Sequence, residues 1–480
     1  MVLLRAFPND EWRRLRITVF VLCCVALLLA ASGIFVNKLF HQPTTIKYAV
    51  TVIGFTFIAL LTTVRAPLRL LVGLAILAGP IDAVVRIQGN QISPLLAIDA
   101  LGVIVALPRF ARGRSAIRSM VPVVVLLFLP GIVMSSSPGS WIVWLAVTLA
   151  TGWLAFEVAS EPGGIRYIFG MLVLSALAQG TIAIWESKTK HQLNLYSSAG
   201  TAATSDEAFF QYGSLVRPAG TFPDPIGFGQ FIALCLPLAV VYAASLRRWV
   251  AVFAVLCAAG VAGLALMLSL SRLSIVGGGV GLLLALLLLP GRRRAGVAVV
   301  TILVGLAVVV ISLSVGGTSL TERLNSILNP TAAHVATAST DLQREQIWEG
   351  AIRIGEAHPL AGVGLGNVGE YLPRYGVPVK LAAEAQNTPL QYFAEGGVPG
   401  LLAVIGIVLA AFTDLAHAFR RYRLWFAGCF AALIATLVTW STDVVVTYVQ
   451  LSGMVAILLG VIAAMRVAAD NEARAITSKP

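Results

Sequence analysis

Long apolar segments alternate with short polar connections along almost the whole chain. Fourteen such segments can be distinguished, at residues 17–36, 46–64, 68–85, 95–107, 119–133, 141–158, 167–184, 226–246, 249–269, 275–290, 295–314, 398–413, 424–440 and 443–466. A helix that crosses a bilayer needs about 20 mostly apolar residues, so the pattern predicts an all-α, polytopic integral membrane protein with about 12–14 transmembrane helices. The first segment lacks a small-residue cleavage site, and we interpret it as a span and not as a cleavable signal peptide.

Two connections, 185–225 and 315–397, are much longer than the others. The second contains Thr340 and Gln343, which form a capping box before an amphipathic helix predicted over Asp341–Glu356. A further helix start is predicted in the same connection, with Thr388 as its N-cap, Pro389 as its first residue and Gln391 closing the box. The pattern divides the chain into an N-terminal transmembrane bundle, a central transmembrane region that includes the first long loop, a large loop, and C-terminal helices with a tail; their ranges are 1–184, 185–314, 315–397 and 398–480.

Composition supports the membrane assignment. Apolar residues make up 58% of the chain, charged residues make up 12%, and the mean hydropathy is +0.88. Soluble domains contain about 25% charged residues, so a soluble globular enzyme, a disordered chain and a coiled coil are excluded. The five cysteines lie inside apolar segments without a CxxC pair, which is typical of small buried hydrophobic residues and not of a disulfide framework or a metal site.

The net charge of +12 is distributed unevenly between the two sides of the predicted membrane. When successive connections are assigned alternately to the two sides of the membrane, 22 of the 34 Lys and Arg residues fall on one side, mostly in short loops. Basic residues in short loops mark the cytoplasmic side, so both termini are predicted to be cytoplasmic and both long loops extracytoplasmic. The charge therefore indicates contact with membrane lipids and gives no reason to expect a nucleic-acid partner.

Two arginines lie at the predicted outer level. Arg272 occupies an outer turn only a few residues long, and Arg217 lies just before the eighth apolar segment. One interpretation is that each side chain extends to the membrane interface or lies in an ordinary loop. The other is that both bind phosphate, because a guanidinium group offers a planar fork of donors. Two arginines at the same depth favour an anionic substrate.

Four acidic residues lie at the same predicted level. Asp224 precedes Pro225 and is typical of a helix N-cap. Asp82 and Asp99 lie within apolar segments, and Asp443 opens the last one. Acidic residues inside membranes commonly face a cavity or a basic partner. These residues either pair with Arg86, Arg217 or Arg272, or fix helix packing, and the sequence does not separate the two.

The second long loop carries other candidate groups. The helix start at Gln386–Pro389 is a potential anion site because free N–H groups point out of it. The glycine-rich stretch His358–Asn367 lacks the Gly-Lys-Ser/Thr ending of a phosphate-binding loop. The five histidines lack metal-ligand spacing, and no Gly-x-Ser-x-Gly nucleophile motif occurs. No metal or other cofactor is therefore predicted.

Several motifs follow one another in order between about Val216 and Leu402: Arg217–Phe222, Ser269–Arg272, Arg344 with Trp348, His358–Gly366, Gln386–Leu390 and Gly396–Gly400. This ordered set resembles a known family, the O-antigen ligase and O-antigen polymerase superfamily of bacterial envelope glycosyltransferases. The first seven segments are similar to the family only in hydropathy.

The resemblance implies a metal-independent glycosyltransferase on the outer face of the bacterial inner membrane. Its donor would be an undecaprenyl-pyrophosphate-linked glycan, and its acceptor either lipid A core or another glycan repeat unit. Arg217 and Arg272 match positions that the family uses for the pyrophosphate. The resemblance and the residue patterns together give Arg217, Arg272, Gln386 and His358 as candidate catalytic residues, and Arg344, Asn387, Asp224, Asp443 and Asp99 as candidate substrate-binding residues. A chain-length regulator or other envelope assembly proteins are conceivable partners.

One position departs from the family pattern. The family usually has His-Asn at the start of the last outer helix, and its histidine is the proposed general base. Here that position is Gln386, and glutamine cannot accept a proton near neutral pH. Another group could be the base, with His358, Glu384 and Asp443 as the nearest candidates. Alternatively Gln386 only orients the acceptor hydroxyl, or the alignment is shifted at this point.

Two other functional classes fit parts of the sequence. A transporter or flippase for a lipid-linked or anionic substrate would also place Asp and Arg residues at membrane level. Long outer loops that contain helices fit this class less well, because alternating access needs groups that are reachable from both sides. A scaffold subunit of an envelope complex is the third interpretation.

Overall fold

The fold is described from a computed structural model, which describes residues 66–81, 85–87, 90–92, 94–110, 120–190, 211–212, 215–291, 294–328, 335–381, 383–441 and 449–477. Its elements in chain order are α1 (Pro67–Ala78), β1 (Val85–Ile87), β2 (Asn90–Ile92), α2 (Pro94–Phe110), α3 (Met120–Val133), α4 (Pro138–Ala159), α5 (Gly164–Thr189), β3 (Gln211–Tyr212), β4 (Leu215–Val216), α6 (Pro225–Ser245), α7 (Trp249–Leu268), α8 (Arg272–Leu288), α9 (Arg294–Leu328), α10 (Val335–Ala357), α11 (Val368–Tyr371), two 3₁₀ turns (Leu372–Tyr375 and Val379–Leu381), α12 (Thr388–Ala418), α13 (Arg423–Trp440) and α14 (Val449–Thr477).

The all-α, polytopic membrane fold is confirmed. Within the described ranges, eight helices are long and apolar enough to cross a membrane, and shorter apolar helices accompany them. Each predicted apolar segment from the third onward contains a helix. The first two segments, 17–36 and 46–64, lie outside the described residues.

Two local predictions were wrong. The third apolar segment was predicted to continue to residue 85, but α1 ends at Ala78 and an antiparallel pair of short strands follows, with Val85 opposite Ile92. Pro80 has no N–H group and so cannot continue the helical hydrogen-bond ladder. The amphipathic helix begins at Val335, so Thr340 lies inside α10 and not at its cap. The alanines at 336 and 338 favour this earlier start.

The boundary predicted between 314 and 315 lies inside a continuous helix. Helix α9 runs from Arg294 through this point to Leu328, which gives it 35 residues. Only the part Arg294–Val315 has the composition of a membrane span, and that part is mostly exposed. The second long connection therefore starts as an extension of a transmembrane helix.

Helix α6 is the most buried of the candidate spans, and it contacts α5, α7, α8 and α13. Helix α14 lies along α4, where Gly460 approaches Gly152 so closely that a Cβ on Gly460 would come within 2.2 Å of the Gly152 carbonyl oxygen. Small residues of this kind allow helix backbones to come together in a membrane protein.

The directions of three packed helices determine which residues share one end of the bundle. Gly229 of α6 faces Ser271 and Ser274 at the start of α8, whereas Gly281 lies against Pro237, so these helices are parallel. Gly277 of α8 faces Ala435 and Thr439 of α13, while Gly281 faces Ala431, so α8 and α13 are antiparallel. The N-termini of α6 and α8 and the C-terminus of α13 therefore lie at the same end.

Candidate functional site

Arg217 lies against the turn that carries Arg272. It directly follows β4 and is only 9% exposed, and its Nε donates a 2.9 Å hydrogen bond to the carbonyl oxygen of Ser269. Arg272 is the first residue of α8, only three residues after Ser269, and it is partly exposed. The structure thus brings the two predicted arginine segments into direct contact.

The turn between α7 and α8 has an unusual backbone. Leu270 is fully buried at its centre and has a φ of +55°, in the left-handed region that a branched side chain rarely adopts. The flanking serines hold this conformation, because Ser269 Oγ donates to the carbonyl of Leu266 at 2.7 Å and the hydroxyls of Ser271 and Ser274 are 2.8 Å apart. Such strain costs about 1–3 kcal/mol and is commonly found at functional sites.

A second group of polar contacts surrounds Gln386. The side-chain oxygen of Gln386 accepts a 3.2 Å hydrogen bond from Arg344 Nε, and its carbonyl accepts one of 3.4 Å from Trp348 Nε1. Gln386 also has a left-handed backbone, with a φ of +47°. Helix α10 therefore places Arg344 and Trp348 against Gln386.

The helix start next to Gln386 differs by one residue from the prediction. The N-cap of α12 is Asn387 and not Thr388, and Asn387 Oδ1 accepts a 3.0 Å hydrogen bond from the Leu390 N–H. The side chain of Gln391 does not close a box to that cap but accepts from the Ala385 N–H at 2.7 Å. Asparagine is at least as good a cap as threonine, which explains the shift.

Asn387 links this group to the end of the bundle that carries Arg272. Its Nδ2 donates a 2.9 Å hydrogen bond to the carbonyl of Ser441, which directly follows α13. Because the C-terminus of α13 lies beside the N-terminus of α8, the Gln386 group and the two arginines belong to one end of the molecule. A groove of about 450 Å³ begins there at Asn387 and Ser441 and continues between α12 and α13, mainly along apolar side chains such as Val404 and Leu437.

The two acidic candidates that the structure describes, Asp224 and Asp99, lie in different helices and make different contacts. Asp224 is the N-cap of α6, as predicted, and its Oδ1 accepts from the N–H groups of Ile226 and Gly227 at 2.7 and 2.8 Å. Asp99 is 2% exposed in α2 and accepts a hydrogen bond from the Thr151 hydroxyl of α4, so it joins two helices. Asp82 and Asp443 lie outside the described residues.

His358 is not part of the Gln386 group. It is exposed beyond the C-terminus of α10, about 20 Å along the helix axis from Arg344 at 1.5 Å per residue. Its ring lies 6.1 Å from that of Tyr371. In the part of the chain that the structure describes, no group of three His, Cys, Asp or Glu residues could hold a metal ion.

The glycine-rich stretch after His358 stabilises a kink in α12 through backbone hydrogen bonds. Pro399 has no N–H group to donate to the Glu395 carbonyl, and the Gly364 N–H donates to it instead, at 2.9 Å. The Ala394 carbonyl accepts from the Val363 N–H at 3.0 Å. The stretch thus supplies hydrogen bonds that the kink removes from the helix.

Sequence reasoning missed two buried polar residues of α5. Glu186 is 0% exposed and Gln179 is 3% exposed, and both accept hydrogen bonds from the segment that follows Arg217. Their signal in the sequence was the seven-residue spacing, which places both on one face of a helix. It was overlooked because the helix was predicted to end at residue 184, whereas α5 continues to Thr189.

A family model described as O-antigen ligase matches residues 257–405. The matched region includes Arg272, Arg344 and Gln386, and it begins after Arg217. A comparison with curated proteins found no match to the chain.

Proposed function

We propose that this membrane protein transfers or polymerises glycan from an undecaprenyl-pyrophosphate-linked donor, on the basis of the match between residues 257–405 and the O-antigen ligase family model. The reaction would take place on the outer face of the bacterial inner membrane, with a glycan or a lipid as acceptor. The candidate site is the end of the bundle that carries Arg217, Arg272 and the Gln386 group.

The observation that carries this proposal is the contact between Arg217 and the Ser269 carbonyl. It places a largely buried guanidinium group beside the turn that opens α8 at Arg272. Two cations held near each other are stabilised by an anion between them, and guanidinium groups match phosphate oxygens well. Away from bulk water this attraction is stronger, because the effective dielectric constant is lower.

The proposed reaction is a displacement at the anomeric carbon of the donor sugar. The acceptor hydroxyl oxygen forms a bond to that carbon, and the bond from the carbon to the phosphate oxygen breaks. The electron pair leaves with the lipid pyrophosphate, and the hydroxyl proton is released. Arg217 and Arg272 would stabilise the negative charge that develops on the leaving group.

The contact with Arg344 assigns an orientation to the Gln386 amide. A guanidinium group only donates hydrogen bonds, so the Gln386 oxygen faces Arg344 and its NH₂ group points elsewhere. Gln386 would then donate a hydrogen bond to the substrate and orient it, in agreement with the orienting role considered from the sequence. The apolar groove that begins at Asn387 suits the lipid chain of the donor.

The experiment is a transfer assay with purified protein, a lipid-pyrophosphate glycan and an acceptor. Arg272→Ala should lower the transfer rate by about 10²–10³-fold, as removal of a charge-stabilising donor typically does. Arg353→Ala is the matched control, since Arg353 is exposed on α10 and, within the described part of the chain, forms its ion pair with Glu349 of its own helix, at 3.5 Å. Near-normal product from Arg272→Ala would contradict the assignment.

A further inference from the structure

We propose that Glu186 and Gln179 are positioning residues, which hold the segment Arg217–Phe222 and so set the orientation of Arg217. The proposal rests on the proposed function in so far as Arg217 is taken to act on the leaving phosphate. Both residues lie in α5, outside the region that matches the family model.

The two side chains project from one face of α5. They are seven residues apart, which is about two helical turns at 3.6 residues per turn. Each is buried in a largely apolar helix, where a polar group without hydrogen bonds would be strongly destabilising. Their presence on this face is therefore explained by the partners that they bind.

These partners are three consecutive backbone N–H groups. Glu186 Oε2 accepts from the Ala219 N–H at 3.0 Å and from the Gly220 N–H at 2.8 Å. Gln179 Oε1 accepts from the Thr221 N–H at 3.0 Å and lies 3.0 Å from the Thr221 hydroxyl oxygen. Among the described residues, no helix or strand backbone accepts from these N–H groups, and side chains of α5 accept from them instead.

The fit leaves little room for the segment to shift. Gly220 has a φ of +62°, and a Cβ there would lie 2.7 Å from Gln179 Oε1. The Thr221 hydroxyl also donates to the Pro80 carbonyl at 2.8 Å. Pro218 joins this fixed segment to Arg217 with a restricted φ. Because the segment is held by α5, the position of the Arg217 guanidinium group is restricted as well. Its Nε donates a hydrogen bond to the Ser269 carbonyl.

The direct test is Glu186→Leu, which removes the acceptor and keeps a side chain of similar size. Misplacement of a reacting group by about 1 Å can cost roughly 10²-fold in rate, so we expect a loss of about 10²-fold in kcat with little change in the KM for the donor. Glu186→Gln keeps an oxygen that can accept both N–H groups, and we expect it to stay within about tenfold of wild type. Equal losses for the two variants, or none for Glu186→Leu, would overturn the proposal.

Glu157→Leu is the matched control for removal of a buried glutamate. Glu157 is 6% exposed in α4, and its Oε1 accepts from Trp153 of the same helix at 3.2 Å. Its kcat should remain near wild type. A loss as large as that of Glu186→Leu would show a general effect of removing buried carboxylates and would overturn the specific role of Glu186.

A double-mutant comparison tests whether the effect passes through Arg217. In an Arg217→Ala background, Glu186→Leu should cause no additional loss, because the group that it orients is gone. The same loss in both backgrounds would overturn the positioning role. The proposed function fails separately if Arg217→Ala alone retains full activity, whereas only the positioning role fails if Arg217→Ala is impaired and Glu186→Leu is not.

Hydrogen exchange provides a measurement that needs no activity. Glu186→Leu should accelerate exchange of the Ala219 and Gly220 amides by at least about tenfold, since each loses its acceptor. Glu157→Leu should leave the peptide 217–222 unchanged. If Glu186→Leu does not fold, Gln179→Met, which removes the acceptor of Thr221, should show the same acceleration there. Unchanged exchange in the folded variant would overturn the proposal.

Discussion

Two residues of the candidate site have left-handed backbones that their side chains disfavour. Leu270 lies between the acceptor of Arg217 and the start of α8, and Gln386 lies directly before the cap of α12. Each is fixed by its surroundings: Leu270 by burial and neighbouring serines, Gln386 by Arg344 and Trp348. Strain that is retained in this way commonly accompanies function, and here both instances coincide with motifs singled out from the sequence.

The role of Gln386 can be tested by introducing the histidine that the O-antigen ligase family usually has at the start of this helix. Gln386→His should not reduce the transfer rate, because a histidine at this position would supply the base that the family is proposed to use. Activity should then fall as the pH is lowered through about 6.5, where histidine becomes protonated and can no longer accept a proton. The measurement is the pH profile of kcat for both proteins.

Gln386→Met is the control, because it removes both hydrogen-bonding groups of the amide without adding a base. Its rate should fall below that of wild type. Complete loss of activity in Gln386→His would instead show that the glutamine makes a specific contact that histidine cannot replace.

At the scale of elements, helix positions followed from the apolar pattern, but their ends depended on tertiary contacts. The start of α6 was predicted because Asp224–Pro225 is a local signal. The contacts of the glycine-rich stretch could not be predicted. Its Gly364 N–H donates to the Glu395 carbonyl at the α12 kink, and its Leu365 N–H donates to the Gly131 carbonyl of α3. The periodicity of apolar residues carries no information about contacts between residues that are distant in sequence.

We expect substitutions of two glycines, one inside this stretch and one outside it, to differ in their effect on stability. Gly364 has a φ of +93°, and a Cβ there would come within 2.3 Å of the Met134 carbonyl oxygen. Gly364→Ala should therefore combine a backbone strain of about 1–3 kcal/mol with an overpacking cost of about 1–3 kcal/mol. Gly376 has a similar φ of +90° with open space around it, so Gly376→Ala should carry only the strain.

Thermal unfolding of the two variants in detergent is the measurement. The midpoint of Gly364→Ala should lie clearly below that of Gly376→Ala. Equal midpoints would mean that the stretch after His358 is not packed tightly against the end of α3.

At the scale of the whole molecule, the apolar pattern was sufficient to predict the membrane fold, and the ordered motifs resembled the family whose model matches residues 257–405. The pattern did not show that α5 contributes to the site, since Glu186 and Ala219 are 33 positions apart. Nor did it show which candidates lie together. The Gln386 group and the two arginines meet at one end only because α8 and α13 are antiparallel, whereas His358 lies outside this group.

The proposed function requires that this end of the bundle catalyse the formation of a glycosidic bond. Its most direct test is purified protein in liposomes, supplied with a lipid-pyrophosphate glycan and an acceptor, without nucleotides or an ion gradient. We expect longer or transferred glycan and release of the lipid pyrophosphate. Movement of the intact donor across the bilayer with no new glycosidic bond would contradict it and would identify a transporter.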